Sequence, residues 1–319
     1  MTYALDPELG PVPNGVAARE RGDWRALRES GNAGQAYLAT LVPPAAGVTT
    51  ATHFATAPDA TAPDATAPDG TAIELRWYTT GATARPGPAV VYAHGGGMVL
   101  GSLDLYDTLL SWYVARSGVP FLSVGYRLAP EVTGTTLAED VFAGLTWLVE
   151  HAPEMGVDAA RIAVMGDSGG GAPAAGAAIL ARERDVRLAR QILVYPMLDD
   201  RTQALDPARA PYFTWTPDDN FTAWSAVLGD TLGTPSVSPV AAPARLTDFA
   251  GLAPAYVETG DLDLFRDEDI AYARSLGAVG VPVELHVHPG VPHGWDRFAP
   301  DAHVSRRAFG DRLRVLGEL

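Results

Sequence analysis

Apolar runs rich in β-branched residues alternate with helical patterns along most of this 319-residue chain, and this alternation restricts its fold more than any other feature. The apolar runs have the length of buried strands and lie at 88–94, 121–126, 161–166, 191–196, 254–260 and 283–289. Helical patterns lie between or after several of them, at about 104–116, 137–148, 169–183, 266–276 and 302–317. Strands that are apolar throughout and separated by helices pack into a parallel sheet covered on both faces. The sequence therefore predicts an α/β fold with a mostly parallel central sheet flanked by helices.

The helix at 137–148 is the clearest of these patterns, because apolar residues spaced three or four positions apart share one face. Thr136 and Glu139 at its start have the spacing of a capping box, in which each side chain binds the backbone N–H of the other residue. We therefore expect these two side chains to cap the helix.

Two long stretches, residues 1–45 and 200–235, interrupt the alternation and are helix-like and rich in aromatic residues. We expect them to fold together as a helical cap over one edge of the sheet, with the core formed by residues 46–199 and 236–319. The sequence A-T-A-P-D occurs three times in tandem within residues 55–69. Pro and Asp at this density favour turns and extended backbone, so this segment is predicted to be an expanded surface loop of the core.

Composition excludes several classes of function. Acidic residues outnumber basic residues by 38 to 23, and the net charge of −15 disfavours binding to nucleic acid. Because the chain contains no cysteine, a thiolate nucleophile, disulfides and cysteine-bound metals are ruled out. No apolar run reaches the roughly 18 residues of a membrane-spanning helix, which predicts no membrane insertion. The N-terminal residues lack the pattern of a secretory signal, which favours a cytoplasmic location.

The sequence G-D-S-G-G at 166–170 stands where a predicted strand meets a predicted helix. This is the G-x-S-x-G nucleophile elbow, in which a sharp turn exposes a serine at the N-terminus of a helix. Bulky side chains two residues on either side of Ser168 would collide with the adjoining strand and helix, and glycine at 166 and 170 removes these collisions. The alternative is that the small residues only allow close packing of helix and sheet. The strand–turn–helix context favours Ser168 as a nucleophile.

The sequence H-G-G-G at 94–97 directly follows the first strand of the alternating region. Its glycines leave backbone N–H groups unhindered, as an oxyanion hole requires. We expect the amides of Gly95 and Gly96, together with that of Gly169, to be the donors. A phosphate-binding loop is the alternative, but no G-K-[ST] follows. His94 is expected to anchor the loop by hydrogen bonding.

A serine nucleophile needs a base, and the base needs an acid that orients it. His293 follows the last strand and can reach the carboxyl edge of the sheet, whereas His286 and His288 alternate within that strand and are weaker candidates. Three acids follow the preceding strand, Asp261, Asp263 and Asp267. Asp263 is the first choice, because Asp261 is close to the strand end and Asp267 lies in the next helix. The chain order Ser168, Asp263, His293 is that of the α/β-hydrolase fold.

Five motifs occur in a fixed order: H-G-G-G at 94–97, Y-R-L-A-P-E at 126–131, G-D-S-G-G-G at 166–171, L-D-L-F-R-D-E at 262–268 and H-P-G-V-P-H-G at 288–294. In this series of motifs the chain resembles the bacterial hormone-sensitive-lipase-like esterases. The resemblance extends from about residue 73 to the C-terminus. The resemblance implies an α/β-hydrolase fold, a cap made from the N-terminal segment and the insert after the strand at 191–196, and Asp263 as the acid of the triad. It is also compatible with a homodimer.

The chain departs from the family at two positions of the predicted site. The family usually has alanine after the nucleophile, where this chain has Gly169, and often an aromatic residue after H-G-G-G, where it has Met98. The flexible Met98 side chain is expected to form a deformable wall of the substrate pocket, which Trp215 of the cap also lines. Neither change removes a catalytic group.

These features predict a serine carboxylesterase that hydrolyses short- to medium-chain, uncharged esters through an acyl-enzyme, without a metal or cofactor. Its partner is a small-molecule ester. The alternative is an amidase or arylformamidase that uses the same residues. A more remote alternative is a ligand receptor on a hydrolase scaffold, which would require the loss of a triad residue, and all three are present.

Overall fold

A computed structural model of the chain describes residues 3–10, 20–42, 45–56, 71–81, 86–202 and 207–319. The A-T-A-P-D loop predicted at 55–69 lies outside the described residues from residue 57 onward. The described residues form one eight-stranded sheet with the order β1-β2-β4-β3-β5-β6-β7-β8. Its strands are β1 (Thr49–Thr56), β2 (Ala72–Thr79), β3 (Gly87–Ala93), β4 (Phe121–Val124), β5 (Val157–Asp167), β6 (Arg190–Val194), β7 (Ala255–Gly260) and β8 (Val283–His288).

The sheet is parallel except at one edge. Strand β1 pairs antiparallel with β2, and β2 pairs antiparallel with β4, whereas every pair from β4 to β8 is parallel. The prediction of a mostly parallel sheet flanked by helices is therefore confirmed. Because β3 to β8 run in one direction, the loops that leave their carboxyl ends meet at a single edge of the sheet.

Helices cover both faces of the sheet in the part of the chain that the structure describes. They are α1 (Trp24–Leu41), α2 (Leu103–Ser117), α3 (Thr136–Glu150), α4 (Gly171–Glu183), α5 (Pro217–Leu228), α6 (Arg266–Ala278), α7 (Trp295–Phe298) and α8 (His303–Gly317). Short 3₁₀ turns occur at Pro7–Leu9, Ser168–Gly170, Ala210–Tyr212, Gly229–Thr231 and Pro243–Arg245. None of the described helices combines the length and apolar character that crossing a membrane requires.

The buried side chains divide between the two faces of the sheet. In β3, Val91 packs with the apolar residues of α3 and α4 on one face, while Val90 and Tyr92 pack with those of α2 and α8 on the other. This alternation follows from the two-residue period of a strand, and it explains why the strands are apolar throughout. The two layers hold the strand ends, and hence the loops at the carboxyl edge, in fixed positions.

The predicted capping box at the start of α3 is wrong. The helix begins at Thr136 after Thr135, whose side chain makes no capping hydrogen bond. Glu139 instead binds a residue that is distant in the sequence: its Oε1 accepts a hydrogen bond from Arg184 Nη2 at 2.7 Å. A capping box does form at α5, where Thr216 Oγ1 accepts from the Asp219 N–H at 3.1 Å and Asp219 Oδ2 accepts from the Thr216 N–H at 3.1 Å.

Helices α1 and α5 lie outside the two layers and contact each other at their N-terminal ends. The Gly22 N–H, just before α1, donates to Thr222 Oγ1 of α5 at 2.8 Å. The other side of α1 is joined to the core, because Asn32 Oδ1 accepts a hydrogen bond from the Gly101 N–H at 2.9 Å. Helix α1 therefore links α5 to the chain that follows β3.

Candidate active site

Four loops that carry predicted site residues meet at the carboxyl edge of the sheet. The H-G-G-G loop follows β3, Ser168 follows β5, Asp263 follows β7 and His293 follows β8. Strand β3 pairs with β5, and β5 to β8 are consecutive neighbours in the sheet. The order of the strands therefore brings together residues that are far apart in the sequence.

The turn at Ser168 is sterically tight. Ser168 has a φ of 53°, a left-handed conformation that is uncommon for a residue other than glycine. A Cβ atom at Gly166 would lie 2.3 Å from the Gly170 carbonyl oxygen, and one at Gly170 would lie 2.1 Å from the Ala93 carbonyl oxygen. Because these contacts are to backbone atoms, no side-chain movement could relieve them. Glycine at both positions is what allows the strand to turn into the helix with Ser168 at its apex.

The three residues predicted as nucleophile, base and acid form one chain of hydrogen bonds. Ser168 Oγ lies 2.7 Å from His293 Nε2, and His293 Nδ1 lies 2.8 Å from Asp263 Oδ2. The second carboxylate oxygen, Asp263 Oδ1, accepts the Phe265 N–H at 2.9 Å. Asp263 is fully buried, and only 10% of the His293 side chain is exposed. This arrangement can pass a proton from the serine hydroxyl to an imidazole that a buried carboxylate orients.

Two side chains that the sequence did not reveal as site residues bind the backbone carbonyl groups of His293 and Asp263. Thr214 Oγ1 donates to the His293 carbonyl oxygen at 2.7 Å, and Arg209 Nη1 donates to the Asp263 carbonyl oxygen at 2.8 Å. Both belong to the segment before α5. No local pattern could have revealed them, because their partners are more than fifty residues away in the sequence.

The H-G-G-G loop is anchored by His94, as predicted. The His94 Nδ1 atom lies 2.9 Å from the Gly95 carbonyl oxygen, and the ring stacks on Tyr126 with 4.5 Å between centroids. The Tyr126 hydroxyl also donates to the His94 carbonyl oxygen at 2.6 Å. Burial lowers the pKa of His94, which suits a neutral anchoring group rather than a base.

Gly169 explains how the loop approaches the nucleophile. A Cβ atom at Gly169 would lie 2.2 Å from the backbone nitrogen of Gly97, so the alanine that is usual in the resembled family would not fit here without a shift of the loop. Gly96 lines the same cavity as Ser168. The backbone of the H-G-G-G loop is thus in direct contact with that of Gly169, beside Ser168.

A cavity of about 280 Å³ opens beside Ser168 and His293. Helix α1 and residues 209–228 form its outer wall, which we call the roof. Apolar residues of the roof, of the chain after the H-G-G-G loop and of α7 contribute to its lining: Leu27, Leu38, Leu100, Trp215 and Phe298. Trp215 thus lies where the sequence predicts. The roof and the carboxyl edge of the sheet together enclose the serine hydroxyl.

Comparison with known proteins agrees with this architecture. The sequence model of a family described as alpha/beta hydrolase fold matches residues 90–297. The chain is 36% identical to esterase LipI of Mycobacterium tuberculosis over 75% of each chain, and 38% identical to ethyl acetate hydrolase of Pseudomonas putida over 67% of this chain and 68% of the other. It is also similar to the solved structure of a bacterial heroin esterase, with 33% identity, a TM-score of 0.87 and coverage of 99% and 98%.

The chain belongs to the alpha/beta-hydrolase family. The predicted α/β-hydrolase fold and the predicted membership of the hormone-sensitive-lipase-like esterases are confirmed. So is the prediction that this hydrolase is an enzyme acting on carboxylic esters. Its cytoplasmic location stays a prediction.

The hydrolase does not bring the other candidate acids and bases to Ser168. Asp261 Oδ1 accepts the Gly290 N–H at 2.7 Å, and burial raises the pKa of this carboxyl. Asp267 forms ion pairs with Arg209 and Arg266 instead. Each of these carboxylates therefore has a partner other than the imidazole of His293.

The two histidines of β8 are paired with glutamates of the hydrolase. His286 Nε2 lies 2.6 Å from Glu284 Oε1, and His288 Nε2 lies 3.6 Å from Glu258 Oε2. Burial alone would raise the pKa of Glu258, but Arg312 and His288 outweigh it and lower the pKa to about 2. Glu258 is therefore a buried anion of the core, on the strand that precedes Asp263.

Met98 lies away from the position that the sequence predicts. It does not line the cavity beside Ser168, and it is only 1% exposed among core residues behind the H-G-G-G loop. Its backbone is left-handed, with a φ of 66°, which is uncommon for a residue other than glycine. The deformable wall that was expected from Met98 is therefore absent from this cavity.

Proposed function

We propose that the chain is a serine carboxylesterase in which Ser168 is the nucleophile, His293 the general base and Asp263 the acid that orients it. The observation that carries the proposal is the continuous chain of hydrogen bonds from Ser168 through His293 to Asp263 beside an apolar cavity. Few arrangements in a protein place a hydroxyl, an imidazole and a buried carboxylate in this order for a purely structural purpose.

Each step of ester hydrolysis has a group to perform it. His293 Nε2 takes the proton of the Ser168 hydroxyl as the oxygen attacks the ester carbonyl carbon. The amides of Gly95, Gly96 and Gly169 would bind the oxyanion that forms, which typically contributes about 3 kcal/mol per donor to transition-state stability. His293 then gives its proton to the leaving alcohol. Water repeats the sequence on the acyl-enzyme and regenerates Ser168, while Asp263 stabilises the imidazolium in both halves.

The roof acts as the cap that selects the substrate, and the cavity size supports short acyl groups. A volume of about 280 Å³ lies at the small end of ligand pockets and must hold both the acyl and the alcohol parts of the ester. Each buried methylene gains only about 0.8 kcal/mol, and the gain ends when the cavity is full. In an acyl series of 4-nitrophenyl esters, kcat/KM should peak between acetyl and hexanoyl. A maximum at long chains would contradict the cap proposal.

Replacing Ser168 tests the proposal. Ser168→Ala should lower kcat for 4-nitrophenyl butyrate by about 10⁴-fold or more, because the acyl-enzyme can no longer form. The matched control is Ser30→Ala, because Ser30 lines the same cavity but its hydroxyl donates to the Ala26 carbonyl oxygen of its own helix. Ser30→Ala should stay within about threefold of the parent, since only a local backbone contact is lost. A Ser168→Ala variant that folds and retains a tenth of the parent rate would refute the assignment.

A further inference from the structure

A second cavity, of about 240 Å³, lies beside the H-G-G-G loop and has no part in the proposed mechanism. It is bounded by β2, by the start of α2 and by the residues that follow β4, and none of the described residues that line it lines the cavity of Ser168. The H-G-G-G loop separates the two cavities, because Gly96 lines the first and His94 the second. A water molecule takes up about 30 Å³, so the second cavity has room for a small organic molecule.

His94 offers this cavity an unused hydrogen-bond acceptor. Burial lowers the pKa of His94, so the ring is neutral and only one of its nitrogens carries a proton. That nitrogen is Nδ1, because it lies 2.9 Å from the Gly95 carbonyl oxygen and must donate to it. Nε2 is left with a lone pair and makes no hydrogen bond within the part of the chain that the structure describes.

The Nε2 atom of His94 is reachable from the second cavity. His94 is only 1% exposed, but Nε2 is not among the buried polar atoms that are closed to water, and the residue lines this cavity. An acceptor that is almost fully buried and has no partner costs roughly 1–3 kcal/mol. A ligand in the cavity that carries an N–H or O–H group would satisfy it.

The charges around the cavity indicate which kind of donor fits. Arg76 binds three carboxylates: its Nη1 donates to Asp104 at 2.7 Å and to Asp107 at 2.9 Å, and its Nη2 donates to Glu74 at 3.1 Å. Three carboxylates and one guanidinium leave a surplus of negative charge. Because Glu74 and Asp104 also line the cavity, it attracts cations and repels anions.

An aromatic ring adds to this preference. Tyr126 lines the cavity, and its hydroxyl already donates to the His94 carbonyl oxygen, so it offers a ligand its ring, whose π electrons attract cations. A metal ion fits less well, because among the described residues His94, Glu74 and Asp104 do not bring three ligand atoms within 4.8 Å of one another. An organic ammonium ion has both the charge and the N–H donors that the cavity calls for.

We propose that the second cavity is a binding site for small primary ammonium ions, in which an N–H group donates to His94 Nε2 and the positive charge lies beside Glu74 and Asp104. The ion would bind directly against the group that anchors the H-G-G-G loop, because the other ring nitrogen of His94 holds the Gly95 carbonyl. The inference goes beyond the proposed function and does not depend on the assignment of the nucleophile.

The test follows the ring nitrogens of the enzyme by NMR, after labelling its histidines with ¹⁵N. The chemical shift of an imidazole nitrogen changes when its lone pair accepts a hydrogen bond. Ethylammonium chloride, added at neutral pH and constant ionic strength, should move the His94 Nε2 signal with half-saturation at or below about 20 mM, the weak affinity expected for one charged hydrogen bond. The His293 signals are the internal control, because His293 lines the other cavity, and they should stay in place.

Two matched compounds separate the charge from the donor. Ethanol has the size of ethylammonium and a donor but no charge, and ethyltrimethylammonium has the charge but no N–H group. Each should bind at least about tenfold more weakly than ethylammonium. An equal response to ethanol would overturn the inference in favour of a neutral polar site, and an equal response to ethyltrimethylammonium would overturn the role of His94. A shift of His293 without one of His94 would place the cation in the catalytic cavity and would overturn it too.

One substitution tests the charge of the cavity wall. Glu74→Gln keeps the shape of the side chain and should raise the half-saturating concentration at least about threefold. Should this variant not fold, Asp104→Asn carries the test, because 80% of the Asp104 side chain is exposed. Glu183→Gln is the matched control, since Glu183 lies in an exposed ion pair with Arg182 and does not line the cavity. Equal affinities in Glu74→Gln and the parent would overturn the inference.

The Ser168→Ala variant separates this inference from the proposed function. It should bind ethylammonium as the parent does, because Ser168 does not line the second cavity. If the His94 signal does not respond but Ser168→Ala is inactive toward esters, only the ammonium site fails. If Ser168→Ala remains active, the nucleophile assignment fails whatever the titration shows.

Discussion

The carboxyl edge of the sheet and the roof above it hold the same cavity by different means. At the edge, backbone contacts fix the geometry, because a single added carbon at Gly166 or Gly170 would come within 2.3 Å of a carbonyl oxygen. The roof is fixed to the rest of the molecule by side-chain contacts: hydrogen bonds such as those of Arg28 and Thr214, and the packing of Leu27 and Trp224 into the apolar core. The geometry of the edge is therefore set by backbone contacts, whereas that of the roof depends on side-chain contacts.

This difference has a functional consequence. The edge supplies the groups that act on the ester carbonyl, and these must stay within a few tenths of an ångström of their positions. The roof supplies most of the apolar wall, and a change there alters which ester fits without altering the chemistry. We expect substitutions at the edge to reduce kcat or folding, and substitutions in the roof to act mainly on KM.

The largest effect is expected at the acid of the edge. Asp263→Asn should lower kcat by about 10⁴-fold, because an amide favours the wrong imidazole tautomer and cannot stabilise the imidazolium. The matched control is Asp261→Asn, two residues away, since Asp261 binds the Gly290 N–H and does not contact His293. The control should lose less than about tenfold. Steady-state kinetics at several pH values would measure both, and equal losses would show that the edge holds a different acid.

A smaller effect, on stability, is expected from adding one methyl group. Gly170→Ala should lower the free energy of unfolding by about 3 kcal/mol or more, because its Cβ would lie 2.1 Å from the Ala93 carbonyl oxygen. In the roof, Gly34→Ala should be neutral or stabilising by up to about 1 kcal/mol, because its Cβ would meet no atom within 4 Å and alanine favours the helix. Urea unfolding would measure both. If the two variants lose similar stability, the edge is no more rigid than the roof.

Sequence reasoning was accurate where structure depends on neighbouring residues. The alternation of strands and helices follows from local apolar patterns, and the turn at Ser168 follows from the size of Gly166 and Gly170. It failed at Met98, because the side chain packs into the core next to the H-G-G-G loop, and this depends on the tertiary course of the loop. It failed at the start of α3 as well, because Thr135 and not Thr136 precedes the helix, and Glu139 binds Arg184 at the end of α4.

Contacts between distant residues could not be predicted for a different reason. The hydroxyl of Thr214 reaches the backbone of His293, and Arg297 reaches Gln35 across most of the chain. Neither pair has a spacing or composition that distinguishes it from an ordinary surface position. Because the position of the roof depends on such contacts, its residues were the part of the site that the sequence predicted least well.

Arg28 is the side chain that most clearly joins the roof to the edge. Its Nε donates to the Val99 carbonyl oxygen at 2.5 Å, just after the H-G-G-G loop, and its Nη2 donates to the Ala129 carbonyl oxygen at 2.7 Å. It also forms an ion pair with Glu131 at 2.6 Å. This ion pair is bidentate, because Arg28 Nη2 also donates to Glu131 Oε2 at 2.7 Å, so it attaches α1 together with the two backbone contacts.

The smallest of the three effects is therefore expected for Arg28→Met, which removes these donors and keeps the length of the side chain. The two hydrogen bonds to backbone carbonyl groups and the bidentate pair with Glu131 are lost, and α1 should sit less firmly against the loop, so KM for 4-nitrophenyl butyrate should rise about tenfold. The turnover number should stay within about threefold, because the hydrogen bonds from Ser168 to His293 and Asp263 do not involve α1. Arg25→Met is the matched control, since Arg25 lies on the same helix, is exposed and stacks on Trp24. A fall in kcat with an unchanged KM would mean that the roof also positions the reacting groups, and the separation of the two regions would then not hold.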